Sequence, residues 1–353
     1  MRTDRRRFTA GLLAAVAGPF GPIPGLSLPS PVLAGETFRD SAGRSVRQPA
    51  TATRIFPAGP PAAILTYALA PEALIGWPRA NRPEEREFLL PGIGDRPELG
   101  RLTGRGNTTN LERLIELKPD LIVDMGAVTP TYVALADRVQ EQTGIPYALI
   151  DGRFEALPAA FRLLGGVMGA AARGETLARY AEATMAEMLG RIAPIPRERR
   201  PRVYYARGPA GLETGLGGSI NVETIEFLGA VNVAGGTRGG LATVSIEQVL
   251  AWDPEVIVTI DRDFAATVAT DPAWRGIQAV RDRRIHLSPK LPFGWVDFPP
   301  SVNRLIGLPW LAGILYPQQF PEPIRDRARD FHALFYGVTP SEAQLDRILA
   351  GRT

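Results

Sequence analysis

The sequence predicts an α/β protein of two lobes with parallel sheets, joined by a long α-helix. NLERLIELKPDLIVD, which begins at Asn110, aligns without a gap with SIEQVLAWDPEVIVT, which begins at Ser245, and the two stretches share one pattern of residue types. Each copy has a helix-capping residue, a helical apolar pattern, a proline and a β-branched run. A long helical pattern between the copies separates two strand–helix alternations, and such alternation favours parallel sheets.

The first alternation begins with a predicted hairpin around the turn residues 40–43 and a strand at 54–56. A helix is expected to start at the prolines of PAGPP, and ALIGW at 73–77 is predicted to be a short strand. LIV at 121–123 and YALI at 147–150 are continuously apolar, as in parallel strands covered on both faces.

A helical pattern from about Leu157 to Ile192 follows, as one helix or two abutting ones, and Gly165 and Gly166 weaken it locally. RVYYA at 202–206 then restarts the alternation, and RIHL at 284–287 is a late strand. The predicted division of the chain is an export signal at 1–34, a first lobe at 35–154, a connecting helix at 155–195, a second lobe at 196–312 and a C-terminal helical segment at 313–353.

The first 34 residues read as an export signal. MRTDRRRF is cationic, GLLAAVAG is a short apolar run, and small residues near Ala34 suit cleavage. Arg5 and Arg6 are followed by one further residue and then by Phe8, which resembles the twin-arginine motif. The alternative interpretation of this segment is a cytoplasmic basic tail. Removing this segment takes away four arginines and one aspartate and leaves 36 basic and 36 acidic residues. The net charge of +3 therefore gives no support to a nucleic-acid partner.

Cysteine is absent, which excludes disulfides, thiolate metal sites and a lipid-anchored cysteine. We therefore expect a soluble periplasmic monomer. The two histidines, His286 and His332, lack metal-ligand spacing, so we expect no protein-bound metal and no cofactor.

The whole chain after the signal resembles the substrate-binding proteins of ABC importers for iron–siderophore, haem and cobalamin. NLERLIELKPDLIV is the most specific match, SIEQVLAWDPEVIV is its second-lobe counterpart, and GAVNVA at 229–234 resembles a family turn. The resemblance implies two Rossmann-like lobes, a bridging helix and a ligand in the cleft between the lobes. It also implies that Glu112 and Glu247 dock on the two permease subunits, and helix capping is the alternative role for these glutamates.

We predict the cleft from sheet topology, because ligands meet the carboxyl ends of parallel strands. The expected cleft loops are 57–61, 77–82 and 125–129 in the first lobe and 207–214, 261–264 and 288–300 in the second. The candidate ligand-binding residues in these loops are Arg79, Arg207, Arg262, Trp77, Trp295 and Asp297.

Each candidate has a structural alternative. Arg207 ends an apolar strand, where its guanidinium suits an anionic ligand, or pairs with Glu213 or Asp261. The two tryptophans, Trp77 and Trp295, stack on a flat ligand or pack at a rim. Asp297 binds a metal or serves a turn, and without a neighbouring histidine we expect the turn.

The expected ligand is a chelated metal: a ferric siderophore, haem or a corrinoid. An oxyanion such as molybdate or tungstate is the first alternative, because arginine suits both ligand classes. A Rossmann-type periplasmic enzyme is the second alternative. The enzyme is disfavoured because the prolines of PAGPP remove N–H donors that a phosphate loop needs. A purely structural protein leaves the cleft unexplained.

Overall fold

The computed structural model describes residues 36–50, 52–104, 106 and 108–350. The predicted export signal lies outside these residues. The first half of the described chain contains β1 (Thr37–Arg39), β2 (Ser45–Arg47), β3 (Ile55–Pro57), α1 (Pro60–Leu69), α2 (Pro83–Arg86), α3 (Leu111–Leu117), β4 (Leu121–Gly126), α4 (Pro130–Thr143), β5 (Tyr147–Asp151), α5 (Leu157–Val167) and α6 (Ala171–Ile192).

The second half repeats the alternation and ends in helices. It contains β6 (Arg202–Ala206), β7 (Glu213–Gly215), α7 (Glu223–Phe227), β8 (Val231–Asn232), β9 (Leu241–Thr243), α8 (Ile246–Trp252), β10 (Val256–Thr259), α9 (Arg262–Thr267), α10 (Gln278–Arg281), β11 (Ile285–Leu287), α11 (Arg304–Leu315), α12 (Ile324–Tyr336) and α13 (Glu342–Leu349). No helix among the described residues has the length and apolar character that crossing a bilayer requires.

Two parallel sheets form the centres of the two lobes, which confirms the predicted fold class. The first sheet has the strand order β3-β4-β5 and the second has the order β11-β10-β6-β8. The predicted hairpin is present, and the Asp40 side chain accepts from the backbone N–H groups of Ala42 and Arg44 in its turn.

The predicted strand at 73–77 is wrong. This segment begins in a short 3₁₀ turn and makes only isolated bridges, from Leu74 to Ile55 and from Trp77 to Glu98. The two bridges have partners in different segments, so no continuous ladder forms.

The connection between the lobes is two abutting helices, α5 and α6, rather than one. The backbones meet closely at Gly165 and Gly174, where a Cβ placed on Gly174 would lie 2.5 Å from the carbonyl oxygen of Phe161. Glycine at this point is therefore a packing requirement and not merely a weakness in the helix.

The largest apolar cluster is shared by both lobes. It joins α1, the inner residues of β4 and β6, the α5–α6 pair and the C-terminal helices α11 to α13. Two smaller clusters cover the outer faces of the first and second sheets. The C-terminal helices thus pack into the common core.

Candidate functional site

A cavity of about 650 Å³ lies between the two lobes, at the carboxyl ends of the central strands. This is the position that the parallel sheets predict. The loops 57–61, 77–82 and 125–129 contribute to its wall, and so do Arg207 and the 293–300 loop. The 261–264 loop does not line it, whereas the unpredicted segments 101–104 and 220–221 and the strand residue Leu241 do.

The first-lobe wall is mainly apolar and poor in backbone donors. Pro60 and Pro61 open α1 against the cavity, so the first turn of this helix offers no N–H groups at those positions. Trp77 is buried, and its indole N–H donates to the Ile93 carbonyl over 2.9 Å. Its ring packs 5.8 Å from that of Phe293, which comes from the second lobe. Trp77 therefore lies at the cavity, and its indole N–H is already hydrogen-bonded within the protein.

Asp124 is a buried carboxylate in the same wall. It accepts hydrogen bonds from the hydroxyls of Thr103 (2.9 Å) and Tyr147 (3.2 Å). Burial raises the pKa of the Asp124 carboxyl above its usual range, although both hydroxyls act against that rise. Asp124 was not among the predicted site residues, although its place directly after the predicted strand at 121–123 was a usable signal.

Arg207 lies in the second-lobe wall within a buried network. Its Nη1 donates to Glu213 over 2.6 Å, and its Nε lies 3.1 Å from Asp297. Asp297 also accepts from Tyr205 (2.8 Å) and Asn221 (2.9 Å). Arg207 therefore forms ion pairs within the protein, one with Glu213 and one with Asp297, which was not predicted as its partner. Its guanidinium still reaches the cavity.

Among the described residues, three arginines line the cavity, and they differ in their partners. Arg79 forms a two-pronged pair with Glu85, with nitrogen–oxygen distances of 2.8 and 2.7 Å. This hydrogen bonding raises the pKa of Arg79, although partial burial opposes it. Arg101, which the sequence analysis missed, forms no ion pair with any carboxylate among the described residues. Arg101 is consequently the cavity arginine whose charge is most available to an anion.

Two predicted ligand-binding residues do not line the cavity. Arg262 is an exposed residue at the start of α9. Trp295 is completely buried in the shared core, where its carbonyl packs against Gly307 of α11. The 293–300 loop therefore presents Phe293, Asp297 and Phe298 to the cavity and turns Trp295 inward.

A second, smaller cavity of about 320 Å³ adjoins the mouth of the first and is basic. It is bordered by Arg79, Arg82, Glu85 and Lys290, together with residues 292–294 and Phe298. Arg79, Phe293 and Phe298 line both cavities. Glu85 pairs with both arginines, whereas Lys290 lies 5.0 Å from the centre of the Phe298 ring. Burial and then Arg82 lower the pKa of Lys290.

Phe298 is one of the residues that line both cavities. It is 55% exposed, and its φ of 66° lies in the left-handed region that a bulky residue rarely adopts. A large exposed aromatic ring in this backbone conformation is typical of functional surfaces.

The described part of the chain contains no cluster of side chains that could coordinate a metal ion by itself. No group of three or more histidine, aspartate or glutamate side chains is positioned there to hold an ion. Burial lowers the pKa of both His286 and His332. The ring nitrogens of His332 lie 2.7 Å from the Ala328 carbonyl and 3.3 Å from that of Leu291, so this histidine joins α12 to the 291 segment.

The two predicted docking glutamates lie on exposed first turns of equivalent helices. Glu112 follows the N-cap Asn110, whose side chain accepts from the Arg113 N–H. Glu247 follows the N-cap Ser245 in the same way. Neither glutamate lines the cavity between the lobes. The Asn110 and Ser245 side chains cap the two helices, and the Glu247 carboxylate also bonds to Ser245 and to its own backbone N–H.

Comparison with known proteins matches residues 93–291 to a family described as periplasmic binding protein. The molybdate-binding protein MolA of Haemophilus influenzae is 30% identical over 262 residues, which cover 68% of this chain and 74% of the relative. A cobalamin-binding protein of Halobacterium salinarum is 30% identical over 199 residues, which cover 50% of this chain and 48% of that relative.

A solved structure gives a closer three-dimensional match. An ABC transporter solute-binding protein from Sulfurospirillum deleyianum superposes with a TM-score of 0.82 and 32% identity, covering 89% of this chain and 99% of that chain. The likeness therefore extends over both lobes and the helices that follow them.

Proposed function

Because the chain belongs to the periplasmic binding protein family, we propose that it captures a chelated metal between its lobes. It is the substrate-binding protein of an ABC importer and not an enzyme. The chelate is the cargo, and the chain hands it to the permease of the importer. A ferric siderophore, a haem and a corrinoid are the candidates within this class.

The observation that carries the proposal is the size of the cavity. Pockets of about 300–1,000 Å³ suit ligands of drug size, lined by apolar groups with a few oriented polar ones. The cavity of about 650 Å³ falls within this range and has that kind of wall. A bare oxyanion would leave most of this volume unfilled.

The polar groups fit an anionic ligand with an aromatic or macrocyclic body. Arg101 offers a guanidinium that pairs with no carboxylate of the described residues, and Arg79 and Arg207 add two that are held in place by carboxylates. Trp77 and Phe298 provide aromatic surface. The basic cavity beside Lys290 is open to a carboxylate or phosphate arm of the same ligand.

A molybdate-type oxyanion is the second candidate. The observation that favours it is the 30% identity to a relative whose name is molybdate-binding protein. Arginine side chains also bind compact oxyanions, so the chemistry of the wall does not separate the two ligand classes.

The test is a thermal-shift screen of the purified chain, followed by calorimetry. A specific ligand in excess raises the melting temperature in proportion to RT ln(1 + [L]/Kd). We expect a shift with one member of a panel of ferric siderophores, haemin and cyanocobalamin, and none with molybdate or tungstate. A shift with the oxyanions alone would replace the chelate by the second candidate.

Glu112 and Glu247 are proposed to dock the protein on its permease. Both are exposed, both lie outside the cavity, and they occupy the same position in the two copies of the repeat. Replacing both by alanine should abolish uptake in reconstituted vesicles and leave ligand affinity unchanged. Normal transport by this double variant would show that the two glutamates have no docking role and serve only the first turns of their helices.

Export by a twin-arginine signal that is cleaved near Ala34 is a further proposal. It rests on the cationic and apolar pattern of residues 1–34. N-terminal sequencing of the protein from a periplasmic fraction tests it. An intact Met1 in that fraction would overturn cleavage.

A further inference from the structure

We infer that Ile115 and Leu250 are apolar anchors through which the protein binds its permease, one on each lobe. This inference rests on the docking role proposed for Glu112 and Glu247. It assigns to the permease dimer two symmetry-related sites, each with a cation and an adjacent apolar pocket.

The exposure of the two residues is the first observation. Ile115 is 49% exposed and Leu250 is 38% exposed, and only three other large apolar side chains in the described part of the chain are comparably open. Single exposed apolar residues are common on proteins and mean little alone. These two, however, occupy the same position of the repeated segment, as do Glu112 and Glu247.

The two helices have matching local structure. Each has an N-cap side chain that accepts from the third residue of the helix, and each ends in a left-handed residue, Lys118 with a φ of 45° and Asp253 with a φ of 38°. Residues three apart lie on the same side of a helix. Glu112 and Ile115 therefore share one side of α3, and Glu247 and Leu250 share the corresponding side of α8.

The other exposed positions of the two helices differ between the copies. Arg113 corresponds to Gln248, and Glu116 corresponds to Ala251, so charge is not retained there. The glutamate and the apolar residue one turn later are the exposed positions of the two helices that keep their type. Common ancestry of the lobes alone does not single out these two positions, whereas a two-fold partner requires both on each lobe.

The physical roles of the two side chains differ. A glutamate facing a permease arginine steers and orients the encounter, and its effect weakens as salt rises. An apolar side chain buried in a pocket contributes by removing its surface from water, which salt screening does not weaken. The pair of anchors should therefore hold the complex at salt concentrations where the glutamates contribute least.

The test measures binding of the purified full-length mature chain to its cognate permease in nanodiscs, at low and at high salt. The variant Ile115→Ser/Leu250→Ser should bind about tenfold or more weakly at both salt concentrations. Leu189→Ser is the matched control, because Leu189 is also 49% exposed but lies on α6 outside the repeat. It should bind like the wild type.

Two further variants decide between the inference and the proposal beneath it. Ile115→Leu/Leu250→Ile keeps the apolar surface and should bind like the wild type, which separates lost anchoring from any folding defect. Glu112→Ala/Glu247→Ala should lose affinity mainly at low salt. If only the glutamate variant loses affinity, the anchors are refuted and glutamate docking stands. If the serine and alanine variants both bind normally, docking through these helices fails altogether.

Discussion

Arg101 is the residue on which ligand affinity should depend most. Its guanidinium lines the cavity and pairs with no carboxylate of the described chain, so an anion meets its full charge. A charged hydrogen bond contributes about 1.5–3 kcal/mol, so Arg101→Ala should weaken binding by about tenfold or more. Calorimetry with the ligand that the thermal-shift screen identifies measures this loss.

Arg79 and Arg207 provide the comparison for Arg101. Arg79→Ala should have a smaller effect, because Glu85 already holds that guanidinium. Arg207→Ala should lower stability as well as affinity, because it leaves Asp297 buried without its cation. Arg101→Ala should leave the melting temperature of the unliganded protein unchanged. Equal affinity for the wild type and Arg101→Ala would remove Arg101 from the ligand site.

Asp124 should make stability depend on pH. Its folded-state pKa is raised by burial, so the folded protein holds this proton at pH values where the unfolded chain has lost it. The contribution of Asp124 is therefore fully present below the unfolded pKa of about 3.9 and is lost as pH rises through the raised value. Asp124→Asn should remove this dependence and raise the relative stability near neutral pH. Urea unfolding of both proteins across acidic to neutral pH measures the difference, and parallel pH profiles would contradict it.

At the residue scale, the sequence located some wall residues and missed others for identifiable reasons. Trp77, Arg79, Arg207 and Asp297 lie in the loops that were expected to form the cleft, and all four line the cavity. Arg101 follows no predicted strand, so the rule of strand ends could not find it. Trp295 was predicted to face the cleft but faces the core. The sequence of an apolar loop does not show in which of these directions its tryptophan points.

The crossing of α5 and α6 should be the most sensitive packing point between two elements. A Cβ on Gly174 would lie 2.5 Å from the Phe161 carbonyl oxygen and 3.3 Å from the Gly165 Cα, so the helices would have to separate. Overpacking of this kind costs about 1–3 kcal/mol, and Gly174→Ala should lower stability by that amount. Urea unfolding gives the change in free energy.

Gly190→Ala is the matched control on the same helix. Apart from its chain neighbours and the backbone of its own helix, no described atom lies within 4 Å of a Cβ placed on Gly190. Alanine there should be neutral or stabilising by up to about 1 kcal/mol, since it favours helix over glycine. Equal losses for both variants would show that the helix crossing is not the cause.

At the element scale, the long periodic segments were predictable and the short irregular ones were not. The strand prediction at 202–206 matches β6, and the predicted weak point of the helical pattern at 165–166 lies close to the end of α5 at Val167. The segment at 73–77 failed because its backbone N–H groups find acceptors in two separate segments, with Ile75 bonding to Ile55 and Trp77 to Pro97. Local residue type carries no information about such a change of partner.

For the whole molecule, we expect only a small closure of the cleft on ligand binding. Arg304 is fully buried and donates to the Gly152 carbonyl (2.5 Å) of the first half and to Glu223 (2.8 Å) of the second. Glu223 also accepts from the Phe154 N–H over 2.7 Å. A wide opening or closing of the cleft would leave these buried groups without their hydrogen-bond partners, which costs free energy.

Small-angle X-ray scattering measures this closure directly. The radius of gyration with and without the identified ligand should be nearly the same. Arg304→Ala should permit a larger change, because the contact between the halves is lost. A large contraction of the wild type on binding would show that the Arg304 contacts do not hold the lobes.

The packing of the C-terminal helices has a consequence for how the chain is made. The Tyr67 hydroxyl on α1 donates to the carbonyl of Tyr336 (2.7 Å), and Arg347 pairs with Glu87 (2.6 Å). Proteins emerge from the ribosome from the amino end, and early domains commonly fold during synthesis. Here the first lobe reaches its native core only after residues near 336 to 347 have been translated. We therefore expect the nascent first lobe to complete its share of the common core only late in translation, after the C-terminal helices have emerged.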